Sequence, residues 1–507
     1  MISSSELATA SGGKPFLAFD SLPSIRGIQD IDEADWDVCE RLLKVWIDKN
    51  PGNSLRSLYY NAHQRLKDFG ITVPNRIMSN MVMAPVGWPA KAVRALADLS
   101  AFEGFSTDMQ EDTPLSDDLA TLFERNALDI TMSQSIVSAY MHSCSFLTVT
   151  AGETPDDPAV VTPRSAEWSA AIWDSLHNRI GSALTITDAD EHGMVTGFNV
   201  WLPDKVYIVS KPDGIWQAHV TTTNYGRPSV VALSYDPQLD RPFGRSRISR
   251  PLMSLTDIAF RTLVRMECNA EFYSSPKLWF LGLDPNAFST DRWKSLVSSI
   301  NSVSKDIDGD VPSLQQVSQA SMQPHSDMLR TIAMLVASET SLPVNDLGIT
   351  LDNPGSAEAM AAAERKLSRE ADRQNRLFSR ALKDVAGMAL NLTADDIARI
   401  TPVWAPTREV SDAARADYYA KIAGVNTAFA DSDIGLMKAG LTYTEIQSFR
   451  AWQQRQRAQE SIDRLKQQAL NPRQEVTGDG DSEPAAGQSG TQETAGTGAA
   501  ELSGQSR

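Results

Sequence analysis

Apolar positions in residues 323–390 recur every three or four places, the spacing of one face of an α-helix. A first helix is expected over HSDMLRTIAMLVASET, with Pro324 at its start. The loop LPVNDLGITLDNPG follows. A second helix begins at Ser356 and meets no breaker until Gly387. Its expected face is Met360, Ala363, Leu367, Ala371, Gln374, Phe378, Leu382, Val385 and Ala389, with Gln374 the one polar member. Ser356 offers an N-cap hydroxyl, and Glu358 sits in the first turn, where the helix dipole favours an acid. At 1.5 Å per residue this helix is roughly 50 Å long. The usual mean is about three turns. A helix of that length either crosses a whole domain or lines an assembly.

The same pattern divides the rest of the chain. Residues 1–28 are rich in Ser, Ala and Gly and read as a flexible arm. Ile31 to Asp48 is expected to be helical, with Trp36, Cys39, Leu43 and Trp46 on one face and Pro51-Gly52 ending it. SLRSLYYNAHQRLKDFG is a second helical piece stopped by Gly70. Ala84 to Trp88 is a turn, and Pro89 opens a third helix through Leu99. The acidic stretch from Asp108 to Asp118 reads as a solvated loop and helix start rather than a metal site, and 118–144 is mostly helical. From Ser145 to about residue 240 the segments become β-branched and aromatic, separated by Asp, Gly and Pro turns. Lys211 to Gly214 is one such tight turn. A helix over 251–273 and a second over 324–341 then flank a compact insert read as strand, helix and strand, its helix around Trp293 to Ile300. ITPVWAP is a strand with proline at a sheet edge. Ser411 to Val425, Asp433 to Ala439 and Thr444 to Leu470 are helical, and the polar tail after Asn471 is expected to be disordered.

Composition narrows the function. With 507 residues the prior is about three domains. Hydrophobic content of 42% supports real cores. A net charge of −17 argues against a general phosphate-neutralising surface, though not against DNA that slides past without being held. Cys39, Cys144 and Cys268 lie far apart in no metal or redox spacing, which suggests a reducing compartment. The first residues show no secretory signal, and no apolar run approaches the ~18 residues of a membrane span.

Catalytic chemistry is not legible. There is no G-x-x-x-x-G-K-[ST], no H-E-x-x-H and no G-x-S-x-G. His63, His142, His177, His192, His219 and His325 show no ligand spacing, so no metal or cofactor is expected. His219 and His192 read as structural, and Ser143-Cys144, with no base partner, as a core thiol. The basic run RPFGRSRISR offers Arg245, Arg247 and Arg250 for phosphate or inter-subunit contacts. Given the acidic total, carboxylate pairing at the helix start or between subunits is preferred. On the long helix Arg365, Lys366, Arg369, Arg373, Arg376, Arg380 and Lys383 alternate with Glu364, Glu370, Asp372 and Asp384, as either a solvated face or an inter-subunit surface.

Several segments, in order, resemble the portal proteins of tailed bacteriophages, in particular the long-tailed type of actinobacterial phages. They are SLYYNAHQRLKDFGI, WLPDKVYIV, RPFGRSRIS, SSPKLWFLG and SETSLPVNDLGITLDNPGSAEAMAAAERKL. The resemblance spans about Trp36 to Leu470 and implies an α+β portal fold. It implies a flexible arm (1–28) and a wing (29–250, helical over 29–144 and β-rich over 145–250). Next come a stem helix (251–274), a small α/β clip (275–322) and a second stem helix (323–346). A tunnel loop (347–355) leads to a long wing helix with its following strand (356–410), crown helices (411–470) and a tail (471–507). Leu347, Gly348, Ile349, Thr350, Leu351, Asp352, Asn353, Pro354 and Gly355 would form the DNA-facing loop, with Asp352 and Asn353 at its tip; the alternative is an ordinary interhelical turn. The resemblance further implies a homo-oligomeric ring, usually of twelve subunits, at one capsid vertex of the virion, assembled in the host cytoplasm. Its expected partners are the terminase large subunit, head-completion or adaptor proteins, major capsid and scaffolding proteins, and double-stranded DNA passing without sequence specificity. It implies neither an enzyme nor a membrane protein. A head-morphogenesis adaptor without DNA translocation is the alternative.

Overall fold

The computed structural model describes residues 22–64, 86–107, 114–152, 157, 159–190, 194–273, 278–281, 313–316, 321–348, 357–408 and 412–470. Outside them lie most of the expected arm, residues 65–70 of the second helical piece, residues 108–113 of the acidic stretch, the insert helix near Trp293, residues 349–355 of the loop, and the tail. The chain divides into two compact units, residues 1–444 and 445–507.

The first unit opens with helix α1 (Trp36–Tyr60). It runs unbroken through Pro51-Gly52, where the sequence predicts a stop. Proline inside a helix removes one hydrogen bond and costs about 3 kcal/mol. Side chains on both sides of it are tied to one turn of the β-rich region. Trp46 Nε1 and Asn50 Nδ2 donate to Glu167 O at 3.0 and 2.7 Å, and Asn53 Nδ2 donates to Ala166 O at 2.8 Å. Ser57 Oγ donates to the Glu167 carboxylate at 2.8 Å and meets His142 Nε2 at 2.9 Å. These contacts hold the helix across its weak point.

Helix α2 (Trp88–Ala97) starts with Pro89 in its first turn, as expected. Strand β1 (Phe102–Thr107) follows, then α3 (Pro114–Arg125) and α4 (Leu128–His142). Strand β1 was not anticipated. It pairs antiparallel with β12 (Ile400–Trp404), the proline-containing strand that was, and the two form a sheet of their own in which Pro402 lies on an edge by necessity.

Two antiparallel sheets build the β-rich region. β2 (Cys144–Thr150) sits between β3 (Val160–Ser165) and β9 (Val230–Ser234). The second sheet is a meander of β4 (Ser169–Asp174), β5 (Arg179–Ala189), β6 (Val195–Trp201), β7 (Lys205–Ser210) and β8 (Gln217–Thr222). Alternation along these strands sorts the side chains. Leu184, Ile186, Phe198, Tyr207 and Val209 face a core shared with Ile25, Leu42 and Trp46. Ile180, Ala183, Trp201 and Val206 face a second core with Cys144, Phe146 and Val230 of the smaller sheet. At the expected turn, Gly214 takes φ +82°.

Helix α5 (Arg250–Tyr273) and helix α6 (Gln323–Thr340) pack side by side. Between them, strands β10 (Leu278–Leu281) and β11 (Ser313–Gln316) pair antiparallel. Helix α7 (Ala357–Ala389) is 33 residues long. Leu367, Ala371, Gln374, Phe378, Leu382 and Val385 of its expected face are buried. Gly387 does not end it. The helix passes through this residue, and a Cβ there would sit 2.5 Å from Ile397 Cδ1 of the short helix α8 (Ala394–Arg399). The glycine therefore serves close helix packing. A single large core joins α2, α4, β2, β9 and the buried ends of α5, α6 and α7. Helices α9 (Asp412–Ala423), α10 (Thr427–Ala430) and α11 (Asp433–Ala439) follow. Helix α12 (Tyr443–Leu470) supplies all the described residues of the second unit, and it is largely exposed.

Candidate functional site

Residues 235–250 lead from the last strand of the β region into α5, and their fold is set by one close approach. Gly244 has φ +70°, and a Cβ there would lie 1.9 Å from Tyr235 O. Only glycine lets the backbone pass so near, and the amide of Arg245 then donates to Tyr235 O at 3.0 Å. Ser249 ends the segment as the cap of α5. Its hydroxyl accepts from the Leu252 amide at 3.3 Å and donates to Glu339 Oε1 of α6 at 2.7 Å.

Arg247 is buried at the centre of this junction. Its Nε donates to Ala92 O of α2 at 2.5 Å and its Nη2 to Thr340 O at the end of α6 at 2.7 Å. Its Nη1 donates to Tyr235 Oη at 3.0 Å and to Glu370 Oε1 of α7 at 2.8 Å. Tyr235 Oη also donates to Glu370 Oε1. Burial pushes the Tyr235 hydroxyl up to about 12, so it stays a neutral donor. The guanidinium meets the last carbonyls of α6 where the helix dipole favours a cation. One side chain thus joins α2, α6, α7 and the segment that starts α5. A phosphate or inter-subunit role for Arg247 is overturned, because its donors are engaged inside the chain. Arg245 is largely exposed and pairs with Asp236 at 2.7 Å, and Arg373 of α7 reaches the same carboxylate at 3.0 Å. This is the carboxylate pairing that the acidic composition suggested. Arg250 is exposed at the first position of α5.

Burial along the helix pair is uneven. Leu252, Ala259, Phe260 and Val264 of α5 and Ile332, Ala333, Val336 and Ala337 of α6 are buried. Towards the β10–β11 end, positions become half-buried or exposed and Met328 presents apolar surface, while Met334 and Leu335 present theirs on the outer face of the rooted part. The pair is rooted at the Arg247 junction and emerges from the core away from it. After Thr340, Ser341 takes the left-handed conformation, a one-turn 3-10 helix covers Val344–Leu347, and Gly348 follows at φ +78°. Leu347 is buried in the main core, which corrects its assignment to a DNA-facing loop. Gly348 is the first exposed residue of that loop, and Ile349 to Gly355 lie outside the described residues.

The polar groups that could suggest chemistry are structural. His142 is buried between Ser57 and Ser165, and burial with the nearby Arg56 cation pulls its pKa down to about 3. The neutral ring donates from Nε2 to Ser57 Oγ, which in turn donates to Glu167. Cys144 and Cys39 are buried thiols, each pushed up to about 12 chiefly by desolvation. His219 is exposed on β8. No cluster of metal-ligating side chains occurs among the described residues, and no helix among them is long and apolar enough to cross a membrane.

The fold and this junction define a structural protein whose α+β body roots a helix pair and a long helix on one arginine. Residues 54–428 match the family described as phage portal protein, SPP1 Gp6-like, and the chain belongs to that family. It is 26% identical over 451 residues to the portal protein of Mycobacterium phage L5, covering 85% of this chain and 91% of that one. The portal protein of Mycobacterium phage D29 is also 26% identical, over 438 residues, with coverage of 83% and 88%. Among solved structures it is similar to a chain in the neck of a native gene transfer agent particle computed with C12 symmetry. That match has 14% identity and a TM-score of 0.42, covering 73% of this chain and 95% of that one. Portal proteins are structural, non-enzymatic virion components, and this chain is one of them.

Proposed function

We propose that the chain assembles into a ring, of twelve subunits, at the unique capsid vertex and forms the conduit for DNA packaging and ejection. The observation that carries this reading is the helix pair α5–α6 rooted at Arg247, with exposed Met328 on its projecting part and exposed Met334 and Leu335 on the outer face of its rooted part. A paired stem with apolar surface on its flank fits packing against neighbouring copies around a channel. In this reading 251–274 and 323–346 are the stem and 275–322 the clip, and 29–250 with 356–410 form the wing. Residues 411–470 form the crown, and the tunnel loop begins at Gly348 rather than Leu347. Gly348, at positive φ, lets the loop change direction between α6 and α7 without disturbing either helix. An acidic subunit repels the phosphate backbone, so duplex DNA passes without being trapped. The clip would meet the terminase large subunit and later the head-completion proteins. The wing would meet the major capsid and scaffolding proteins during assembly in the host cytoplasm.

Native mass spectrometry and negative-stain microscopy of the purified chain test the ring. A monomer or dimer under all conditions would count decisively against it. DNA packaging after trimming Leu351 to Pro354 tests the loop, and normal packaging with normal DNA retention would remove its assigned role.

A further inference from the structure

The outward face of α7 carries exposed Arg365, Arg369, Arg373, Arg376 and Arg380 and half-buried Lys383. At 100° per residue these six fall within a sector of about 80° and extend over roughly 27 Å. In a chain of net charge −17 this is a concentrated cationic stripe. Arg373 is tied to Asp236. Among the described residues, Arg369, Arg376 and Arg380 pair with no carboxylate. Beside the stripe lies a cleft of about 630 Å³ between the β4–β5 hairpin, residues 227–242 and residues 377–384 of α7. Its walls include Trp173, Pro242, fully exposed Leu239 and half-exposed Leu377. Apolar side chains framed by arginines are the composition of a protein interface, whereas a surface reading phosphates is polar throughout.

The chain itself carries a complementary surface. Residues 30–40 hold Asp30, Asp32, Glu33, Asp35, Asp37 and Glu40 with no basic residue. Lys205 pairs with Asp32 at 2.7 Å and Asp35 at 2.5 Å, and Arg26 pairs with Glu40 at 3.2 Å. Asp30, Glu33 and Asp37 remain exposed. Tyr207 Oη donates to Asp35 at 2.7 Å, and a bridge between Gln29 and Gln217 fixes this acidic knuckle against β7 and β8. The cleft uses the other side of the same sheet, at β4 and β5. Strand order β4-β5-β6-β7-β8 separates the two edges by about 19 Å at ~4.8 Å per strand. Complementary patches at opposite edges of one sheet fit a head-to-tail contact, and head-to-tail contacts close into rings where the rotation between copies closes.

We infer that the cationic cleft beside α7 receives the acidic 30–40 knuckle of a second copy of this chain. The inference rests on the ring proposed above, and one experiment separates the two. Variant one carries Arg376→Glu and Arg380→Glu. Variant two carries Glu33→Lys and Asp37→Lys. Each alone sets like charges face to face, and its self-association should fall on the order of 100-fold or more. Mixed in equal amounts they present opposite charges again, and native mass spectrometry should find rings containing both. Misfolded variants would not complement, and circular dichroism of each separately establishes that it is folded. Either variant forming rings as readily as wild type overturns the inference, as do folded variants that fail to complement. Rings that persist while the first variant alone loses binding to a short DNA duplex overturn it in favour of nucleic acid. A wild-type chain that never forms rings defeats the ring proposal itself.

Discussion

Two arginines separated by one residue should differ widely in what their removal costs. Arg247 has 5% of its side chain exposed, pairs with Glu370, and donates to Ala92 O, Thr340 O and Tyr235 Oη. Removing one partner of a buried ion pair costs about 3–5 kcal/mol, because the other charge is left behind. In Arg247→Ala the Glu370 carboxylate keeps only Tyr235, and the end of α6 loses its cation. We expect a loss of about 4 kcal/mol, near the middle of that range. Arg245 is 62% exposed, and its partner Asp236 also holds Arg373, so Arg245→Ala should cost within about 0.5 kcal/mol. A chain of 507 residues in two units need not unfold in one step, so a single midpoint is a poor readout. Hydrogen exchange by mass spectrometry reads the junction directly. Arg247→Ala should lower the opening free energy of amides in 250–255, 336–340 and 366–374, which converge on the guanidinium, and leave the five-stranded sheet unchanged. Unchanged protection in those peptides, or an equal loss in Arg245→Ala, would refute the reasoning.

Gly244→Ala should destabilise the same junction by about 2–3 kcal/mol, because the new Cβ meets backbone rather than a movable side chain at a positive φ; hydrogen exchange in the junction peptides checks it, and unchanged or increased protection there would contradict it. His142 should make the protein acid-sensitive. Its folded pKa of about 3 lies below the unfolded value of 6.5, so its contribution is complete above pH 6.5 and is lost as pH falls towards 3. At about 1.4 kcal/mol per pH unit, roughly 2 kcal/mol should be gone by pH 5, and a His142→Gln variant should flatten that slope in the opening free energies that hydrogen exchange reads around residues 139–146. Cys39 and Cys144, pushed up to about 12 and buried, should resist thiol reagents at pH 8, whereas half-buried Cys268 reacts first; peptide mapping before and after denaturation tells them apart.

Local periodicity revealed much of this architecture. The face of α7 from Leu367 to Val385, the helices on either side of the insert and the β-rich region from Cys144 to Ser234 all obey short-range spacing rules. Most of the misses are tertiary. Pro51-Gly52 reads as a stop until Glu167 and Ala166 appear as partners for Trp46, Asn50 and Asn53. Strand β1 contains Glu103 and Gly104 and looks weak until Ile400–Trp404 pairs with it. Gly387 reads only as a breaker in the long helix, because the approach of Ile397 is a distant contact. Arg247 had no local mark to set it apart from Arg245 and Arg250. Its partners lie 93 to 155 residues away for α6, α7 and α2. Leu347 could have been separated from the loop, since it is apolar and directly precedes Gly348, where the chain turns at positive φ.

The distribution of charge connects these elements. A conduit for DNA should offer the passing phosphates no strong cationic grip, yet subunits of net charge −17 repel one another when brought together. At physiological salt that repulsion is screened beyond about 8 Å, while charges in direct contact are screened far less. Short-range pairing can therefore hold acidic subunits together if the cations are placed where another protein surface covers them. The fold follows this rule inside one chain. Arg245 and Arg373 share Asp236, Arg247 is enclosed with Glu370, Arg227 meets Asp384 at 3.2 Å and Lys205 bridges Asp32 and Asp35. The basic run that resembled a phosphate grip in the sequence is thus spent on internal pairs at Arg245 and Arg247. The cations of α7 that remain lie beside an apolar cleft, where a neighbouring acidic surface would cover them. In the proposed ring, assembly and DNA transit would place opposite demands on the arginines, and covering them at contacts would satisfy both.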